Sequence, residues 1–222
     1  MDYLVGVVEI VPLLLDGLFV TLLICGLATV GALAISVLLL AARRCRNRWL
    51  RRLSIGYVAL MRGLPIVIFI FLLYFGLPAL FGLGRVSAFW VGVVALAMNG
   101  AAFISEVLRG AIARIAAGQT DAARALGLSR IQTWRLVLIP QFLPIALPAL
   151  TGELGFLIKA SPALSLITVV DLTRRSQQVA MQIFDPLAPL LAAAMLYFLV
   201  LWSLSILSRR LEIYLEPKVY QS

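Results

Sequence analysis

The 222-residue chain contains no histidine, two cysteines and two lysines. Without histidine, no imidazole stands ready to activate a serine or cysteine for nucleophilic chemistry. Without a spaced Cys/His cluster, no metal site is expected. The two lysines, Lys159 and Lys218, follow no glycine-rich loop, and G-x-x-x-x-G-K-[ST] occurs nowhere. The backbone cradle and lysine of a nucleotide-phosphate loop are therefore missing. The chain is expected to be no enzyme by itself and to carry no cofactor of its own. Cys25 falls in the first apolar run and Cys45 in the basic segment after it, so a disulfide is not expected. The net charge of +9 lacks the basic-aromatic interleaving of a nucleic-acid binder, and no nucleic-acid partner is expected. There is no repeat at 20–50 residues and no two-halves symmetry of the kind many secondary carriers show. The opening MDYLVGVVEIVP has no positive region of a cleavable signal peptide and is read as mature protein.

What the chain has instead is apolar length. Hydrophobic residues make up 63% and the mean hydropathy is +1.05, against the ~45–50% apolar of a soluble domain. A helix needs roughly 20 apolar residues to cross a bilayer core, and five stretches qualify, at about 17–42, 57–81, 87–108, 139–160 and 187–207. Arg62, Gly63 and Pro65 interrupt the second; Pro140, Pro144, Pro148 and Glu153 interrupt the fourth. Backbone groups freed there need partners in protein or a cavity. The expected fold class is an all-α integral membrane protein of five spans.

The basic residues set an orientation. Six arginines follow span 1 (Arg43, Arg44, Arg46, Arg48, Arg51, Arg52) and five follow span 3 (Arg109, Arg114, Arg124, Arg130, Arg135). Arg209, Arg210 and Lys218 follow span 5, while the other side holds only Arg85, Arg174 and Arg175. This asymmetry predicts the amino terminus outside and the carboxyl terminus in the cytoplasm. The expected organisation is an external segment 1–16, a transmembrane domain 17–210 with a cytoplasmic loop at about 110–140, and a cytoplasmic tail 211–222. Trp49, Trp90, Trp134 and Trp202 lie near span ends or on that loop, where interfacial anchoring accounts for them. Gly26 and Gly31 could let span 1 approach a neighbour, although glycine is common in membrane helices.

The loop contains GQTDAARALGLSRIQTWRLVLIP, residues 118–140. Its local signals predict a helix–turn–helix. Thr120 has the chemistry of an N-cap before the alanine-rich Ala122, Ala123 and Ala125. Gly127 stands where a helix C-terminus wants a left-handed residue, and Ser129 with Gln132 has capping-box spacing. Pro140 sits at the start of span 4, where its missing N–H costs little. On spacing alone, an interfacial helix pair with arginines on lipid headgroups fits as well as a docking bracket.

The order acid-Ala-Ala, then Gly127 four residues after Ala123, then Ile139-Pro140, resembles the EAA loop of ABC importer membrane subunits, with Asp121 for the usual Glu. The likeness extends along the chain. Gly17-Leu18-Phe19-Val20-Thr21-Leu22 opens span 1, and Met61-Arg62-Gly63-Leu64-Pro65 is similar to M-R-G-x-P. NGAAFISEVLRG, residues 99–110, resembles N-x-x-A-Y-x-x-E-x-x-R-G with Phe103 for Tyr, and Asp171-Leu172-Thr173-Arg174 resembles E-L-T-R. The chain is thereby identified as similar to the polar amino-acid permeases (histidine, glutamine, glutamate, arginine and opine type). The resemblance implies the type I ABC importer (MetI-like) permease fold in the bacterial cytoplasmic membrane. It also implies ATP-binding-cassette ATPase subunits that bind the ATP, a second permease copy or homologous permease, and an extracytoplasmic amino-acid-binding protein. That protein is expected to meet segments 161–186 and 82–86. Coupling to the ATPase falls on Asp121, Ala122, Ala123, Arg124, Leu126 and Gly127, with Arg109 and Arg124 as docking anchors.

Charges within spans are costly and point to function by default. Arg62, Glu106, Glu153 and Lys159, with the neutral Asn99 and Ser161, are the candidates for a substrate pathway. A zwitterionic amino acid needs a cation for its carboxylate and an acid for its ammonium, and Arg62 or Lys159 with Glu106 or Glu153 offers such a pair. Glu106 and Arg109, three apart on one helix, can equally pair with each other. After span 4 the family tends to read K-D-[ST]-S-L, whereas this chain reads Lys159-Ala160-Ser161-Pro162-Ala163. Two rival readings remain open on sequence: an ion-coupled secondary carrier, which would import without ATP, and a non-transporting membrane anchor for an ATPase, which would show no flux.

Overall fold

A computed structural model describes residues 2–82, 84–115 and 118–215. It is helical throughout the regular part. Helix α1 (Asp2–Arg44) is followed by α2 (Arg48–Gly63). Next come α3 (Ile66–Phe71), a π turn (Leu72–Gly76) and α4 (Leu77–Phe81). Helix α5 (Ala88–Arg114) leads to α6 (Gly118–Ala125). Helix α7 (Arg130–Gln132), a second π turn (Thr133–Leu138), α8 (Ile139–Ala160) and a 3-10 turn (Ser161–Ile167) form one helical run. Helices α9 (Leu172–Ile183) and α10 (Leu187–Leu215) complete the chain. Among the described residues, four helical stretches are long and apolar enough to cross a membrane, and the bent pair Arg48–Gly63 and Ile66–Phe81 makes a fifth.

The spans differ from their expected bounds in instructive ways. Helix α1 begins at Asp2, so the first apolar run is the later part of a helix roughly 65 Å long at 1.5 Å per residue. Its first turns are not bare: Val7, Ile10 and Leu14 are buried against Leu172 and Val179 of α9 and Ala188 and Ala192 of α10. The second run, expected as one span at 57–81, is broken: Arg48–Gly63 and Ile66–Phe81 meet at 109°. The physical reason is Pro65, which disfavours the helical region for the residue before it; Leu64 is extended at φ −94°, ψ 127°.

Small residues let the central helices approach. Ala28, Ala32, Ala95, Ala101 and Ala102 have no exposure at all, and a Cβ on Gly31 would stand 3.1 Å from that of Ala97, while one on Gly26 would meet nothing. Such surfaces are what helix association within a bilayer uses. At Gly17 a Cβ would lie 2.7 Å from that of Arg175 and 2.9 Å from the Asp171 carbonyl. That glycine is what seats α9 directly on α1. Helices α1 and α5 run side by side in the same direction, from Gly31 on Ala97 to Arg43 on Glu106. Helix α8 runs back against α5, with Leu157 on Gly100, and α10 returns along α8, with Leu201 near Gly155.

Candidate functional site

The bracket after α5 is built by its own caps. Gly127 takes φ +76°, Leu128 N–H donates to the Ala123 carbonyl (3.0 Å) and Gly127 N–H to Arg124 (2.9 Å). These two bonds are the Schellman pair that satisfies a helix C-terminus. Ser129 and Gln132 then form a reciprocal capping box: Ser129 N–H donates to Gln132 Oε1 (2.9 Å) and Gln132 N–H to Ser129 Oγ (3.3 Å). Thr120 is not the expected N-cap, because α6 already starts at Gly118 and places Thr120 inside its first turn.

Packing holds the two arms together, with Ala123 and Thr133 buried between them. The rest of the bracket faces outward. Asp121 and Arg124 pair loosely at 3.5 Å, both largely exposed, and Ala122 is exposed beside them. Leu126 is 81% and Ile131 78% exposed. Two large aliphatic side chains held out by two interlocked caps form an apolar knob.

The knob is continuous with the membrane. The helical run Arg130–Ile167 counts as one span, and Gln141 Nε2 donates back to the Val137 carbonyl (3.0 Å) and toward Gln119 Oε1 (3.4 Å). Pro140 does not open a free helix end as expected. Ile139 N–H reaches five residues back to the Trp134 carbonyl, and this widened turn carries the helix past the residue that has no N–H. The same device recurs before Pro78, where Leu77 N–H reaches the Leu72 carbonyl.

The charges within the spans separate into distinct roles. Arg62, on the last turn of α2, stands over the Phe103 ring at 5.6 Å. Phe103 of α5 meets Phe156 of α8 at 5.7 Å, and the Glu153 carboxylate lies within electrostatic reach of Arg62. Three helices thus converge on a cation, an acid and two aromatic faces, with Arg62 and Phe156 exposed. Glu106 does not join them. Arg43 Nη1 lies 2.5 Å from its Oε1 and ties the end of α1 to α5, while Arg109 Nη2, on α5 itself, lies 2.7 Å from Oε2. Arg109 is held in that clamp, next to the segment leading to the knob.

Asn99 is buried, and its amide donates to the Met61 carbonyl at 3.0 Å. Within a regular helix that carbonyl would accept from residue 65, and Pro65 has no N–H. Asn99 supplies the missing donor, and Tyr57 Oη donates to the Met98 carbonyl (2.8 Å) one residue away. Together they fix the turn that carries Arg62. Ser161 is buried and donates to the Ile158 carbonyl (2.9 Å), closing the end of α8. Lys159 is exposed on another face, in a groove of ≈ 360 Å³ between α8 and α10 that also holds Thr151, Ser208, Arg209 and Glu212. There Thr151 and Ser208 share a 2.7 Å bond and Ser208 donates to Glu212 Oε1 (3.0 Å).

The roles of two residues were not legible in the sequence. Arg43 lies far from Glu106 in the chain, and the positive cluster around it reads as a loop. The other is Asp171, which caps α9 by accepting from Arg174 N–H (2.9 Å) and is fully buried with Oδ2 unpartnered. Burial pushes its carboxyl up to about 6, against the pull of the backbone donors of the α9 first turn. Around it, Thr21 Oγ1 accepts from Leu172 N–H (3.0 Å) and Thr173 shares a 3.0 Å bond with Tyr197, joining α1, α9 and α10.

Comparison with known proteins places this architecture. The family described as binding-protein-dependent transport system inner membrane component matches residues 34–220. The chain is 35% identical over 202 residues to the glutamine transport system permease protein of Escherichia coli K12, covering 91% of this chain and 92% of that one. It is 32% identical over 202 residues to the arginine transport system permease protein of Bacillus subtilis, with the same two coverages of 91% and 92%. In structure it is similar to an amino acid ABC transporter solved with histidines, at a TM-score of 0.86 and 30% identity over 96% of this chain and 99% of the other. An inward-facing methionine ABC transporter shares the fold at a TM-score of 0.75 and 21% identity, over 93% and 98% of the two chains.

Proposed function

The chain belongs to the family of binding-protein-dependent transport system inner membrane components, and on that premise we propose that it imports a polar amino acid or related opine by relaying ATPase motion through its knob. It is a permease of the ABC importer class in the bacterial inner membrane, not an enzyme; ATP is hydrolysed on a separate subunit. The ion-coupled carrier and the bare anchor are not favoured.

One observation carries the relay: the exposed pair Leu126 and Ile131 sits on a doubly capped knob whose second arm is the same helical run as α8. The knob end faces the cytoplasm, and the amino terminus the outside, because the arginines gather at that end. An apolar projection in water is a docking feature, and its partner is a cleft of the ATPase subunit. Closure of two such subunits brings two knobs together and tilts α8 as a rigid body, a transition packed helices support. A second copy, or a homologous permease, completes the pathway, and an extracytoplasmic amino-acid-binding protein delivers cargo to segment 161–186.

For the cargo, Arg62 and Glu153 are the contacts we favour. Their charges match the carboxylate and ammonium of a zwitterion, and both stand on the exposed side that a second copy would close. Glu106, Asn99 and Ser161 serve structure instead, and Lys159 lines a separate groove. The test is uptake by vesicles reconstituted with the chain, its ATPase and the binding protein, with a panel of radiolabelled amino acids. ATP-dependent uptake of one polar amino acid is expected. Uptake without ATP would restore the carrier, and ATPase binding without flux the anchor.

A further inference from the structure

At the end of the molecule opposite the knob, α4 and α5 leave an apolar groove of ≈ 360 Å³. Leu73, Leu77, Trp90, Val91 and Val94 line it together with Val86 and Ser87. It adjoins, through Val86, a wider hollow of ≈ 580 Å³ lined by Tyr74, Pro78, Gly84 and Arg85. Trp90 is exposed, with its ring edge-on to Phe89 at 5.3 Å. Among the described residues, Arg85 has no ion-pair partner.

Which way the groove points follows from helix geometry. Val94 and Phe103 are nine residues apart on α5, about two and a half turns, which puts them on opposite faces. Phe103 carries the Arg62 site, so the groove turns away from that face and toward the lipid. From the transport reading only this placement of the partner copy is used.

We propose that the groove and Arg85 together form a binding site for an anionic glycerophospholipid, with an acyl chain between α4 and α5 and the headgroup phosphate on Arg85. The chemistry divides as such a ligand does. The groove wall is aliphatic and aromatic along its length, with Ser87 as its hydroxyl. Arg85 lines the adjoining hollow, which shares Val86 with the groove, and a guanidinium bonds phosphate oxygens in a fork that a lysine cannot. Trp90 sits where an indole favours the membrane–water boundary. A protein partner would need an acid facing Arg85 and a matching apolar ridge; a lipid brings both in one molecule.

The test uses the chain assembled with its ATPase and partner permease in vesicles containing brominated phosphatidylglycerol or brominated phosphatidylcholine. The difference in emission between this complex and its Trp90→Phe counterpart isolates Trp90. Both lipids are expected to quench it, with phosphatidylglycerol effective at about fivefold lower mole fraction, which is what one arginine near an anionic surface provides. Arg85→Gln is expected to remove that preference. Equal quenching by the two lipids, or a preference that survives Arg85→Gln, overturns the headgroup site. Absence of quenching by either overturns the groove as a lipid surface. Amino-acid uptake in the same vesicles reports separately on transport.

Discussion

Two proline-bearing joints in this chain have opposite outcomes. At Pro65 the helix breaks and the chain turns by 109°; at Pro140 the helical stretch Arg130–Ile167 continues without a break. Both lose the same backbone hydrogen bond, so the proline alone does not decide. At Pro65 the freed Met61 carbonyl is claimed by Asn99 of a neighbouring helix, and the preceding Leu64 relaxes into extended backbone. At Pro140 the turn widens, and Ile139 N–H bonds the Trp134 carbonyl five residues back. The two joints differ in how the backbone around the proline is accommodated, by a donor from a neighbouring helix at one and by a widened turn at the other. The first outcome fixes Arg62 over the Phe103 ring; the second keeps the knob on one helical stretch with α8.

The sharpest way to break the contrast is Asn99→Leu. It leaves the Met61 carbonyl buried without a donor, at about 1–3 kcal/mol. The unfolding midpoint should fall by several degrees in detergent and uptake should drop with it. A variant with wild-type midpoint and uptake would show that the kink does not depend on Asn99.

A smaller effect separates both joints from the outer seat of α9. Asp171 lies outside the spanning helices, and its carboxyl is raised to about 6, above the ~3.9 of an unfolded chain. Between those values the folded chain holds more protons than the unfolded one, so stability is highest at acid pH and falls as pH rises through 6. From pH 5 to 7.5 the loss should be about 1 kcal/mol. Asp171→Asn, which stays neutral, should flatten the slope. Unfolding midpoints of the two proteins across that range check it, and parallel curves would count against the assignment.

The smallest change in stability is expected from Pro140→Ala. The new N–H lets the widened turn tighten to a regular one, so the midpoint stays near wild type while import per ATP falls. Unaltered stoichiometry would mean that the widened turn has no part in coupling.

What could be read from the sequence tracks how local the cause is. Gly127, Ser129 and Gln132 act within one turn of themselves, and their geometry is as their spacing implied. Glu106 with Arg109 was equally legible at three residues. Its second partner, Arg43, was not, because only the parallel packing of α1 on α5 brings it there. Asn99 carried a polar signal that pointed to substrate, whereas its role depends on a proline in another helix. Pro65 announced an interruption but not its angle, which needs the facing helix. Thr120 had the chemistry of a cap, yet the helix begins earlier than its own spacing could tell.

The central claim is that the knob conveys work from an ATPase to α8, and Leu126→Asp with Ile131→Asp puts it most directly at risk. Both side chains stand in water, so the double variant should insert and fold as before. In reconstituted vesicles we expect the ATPase to dissociate from the chain and ATP-driven amino-acid uptake to be lost. Uptake at the wild-type rate, with the ATPase still bound, would contradict the account.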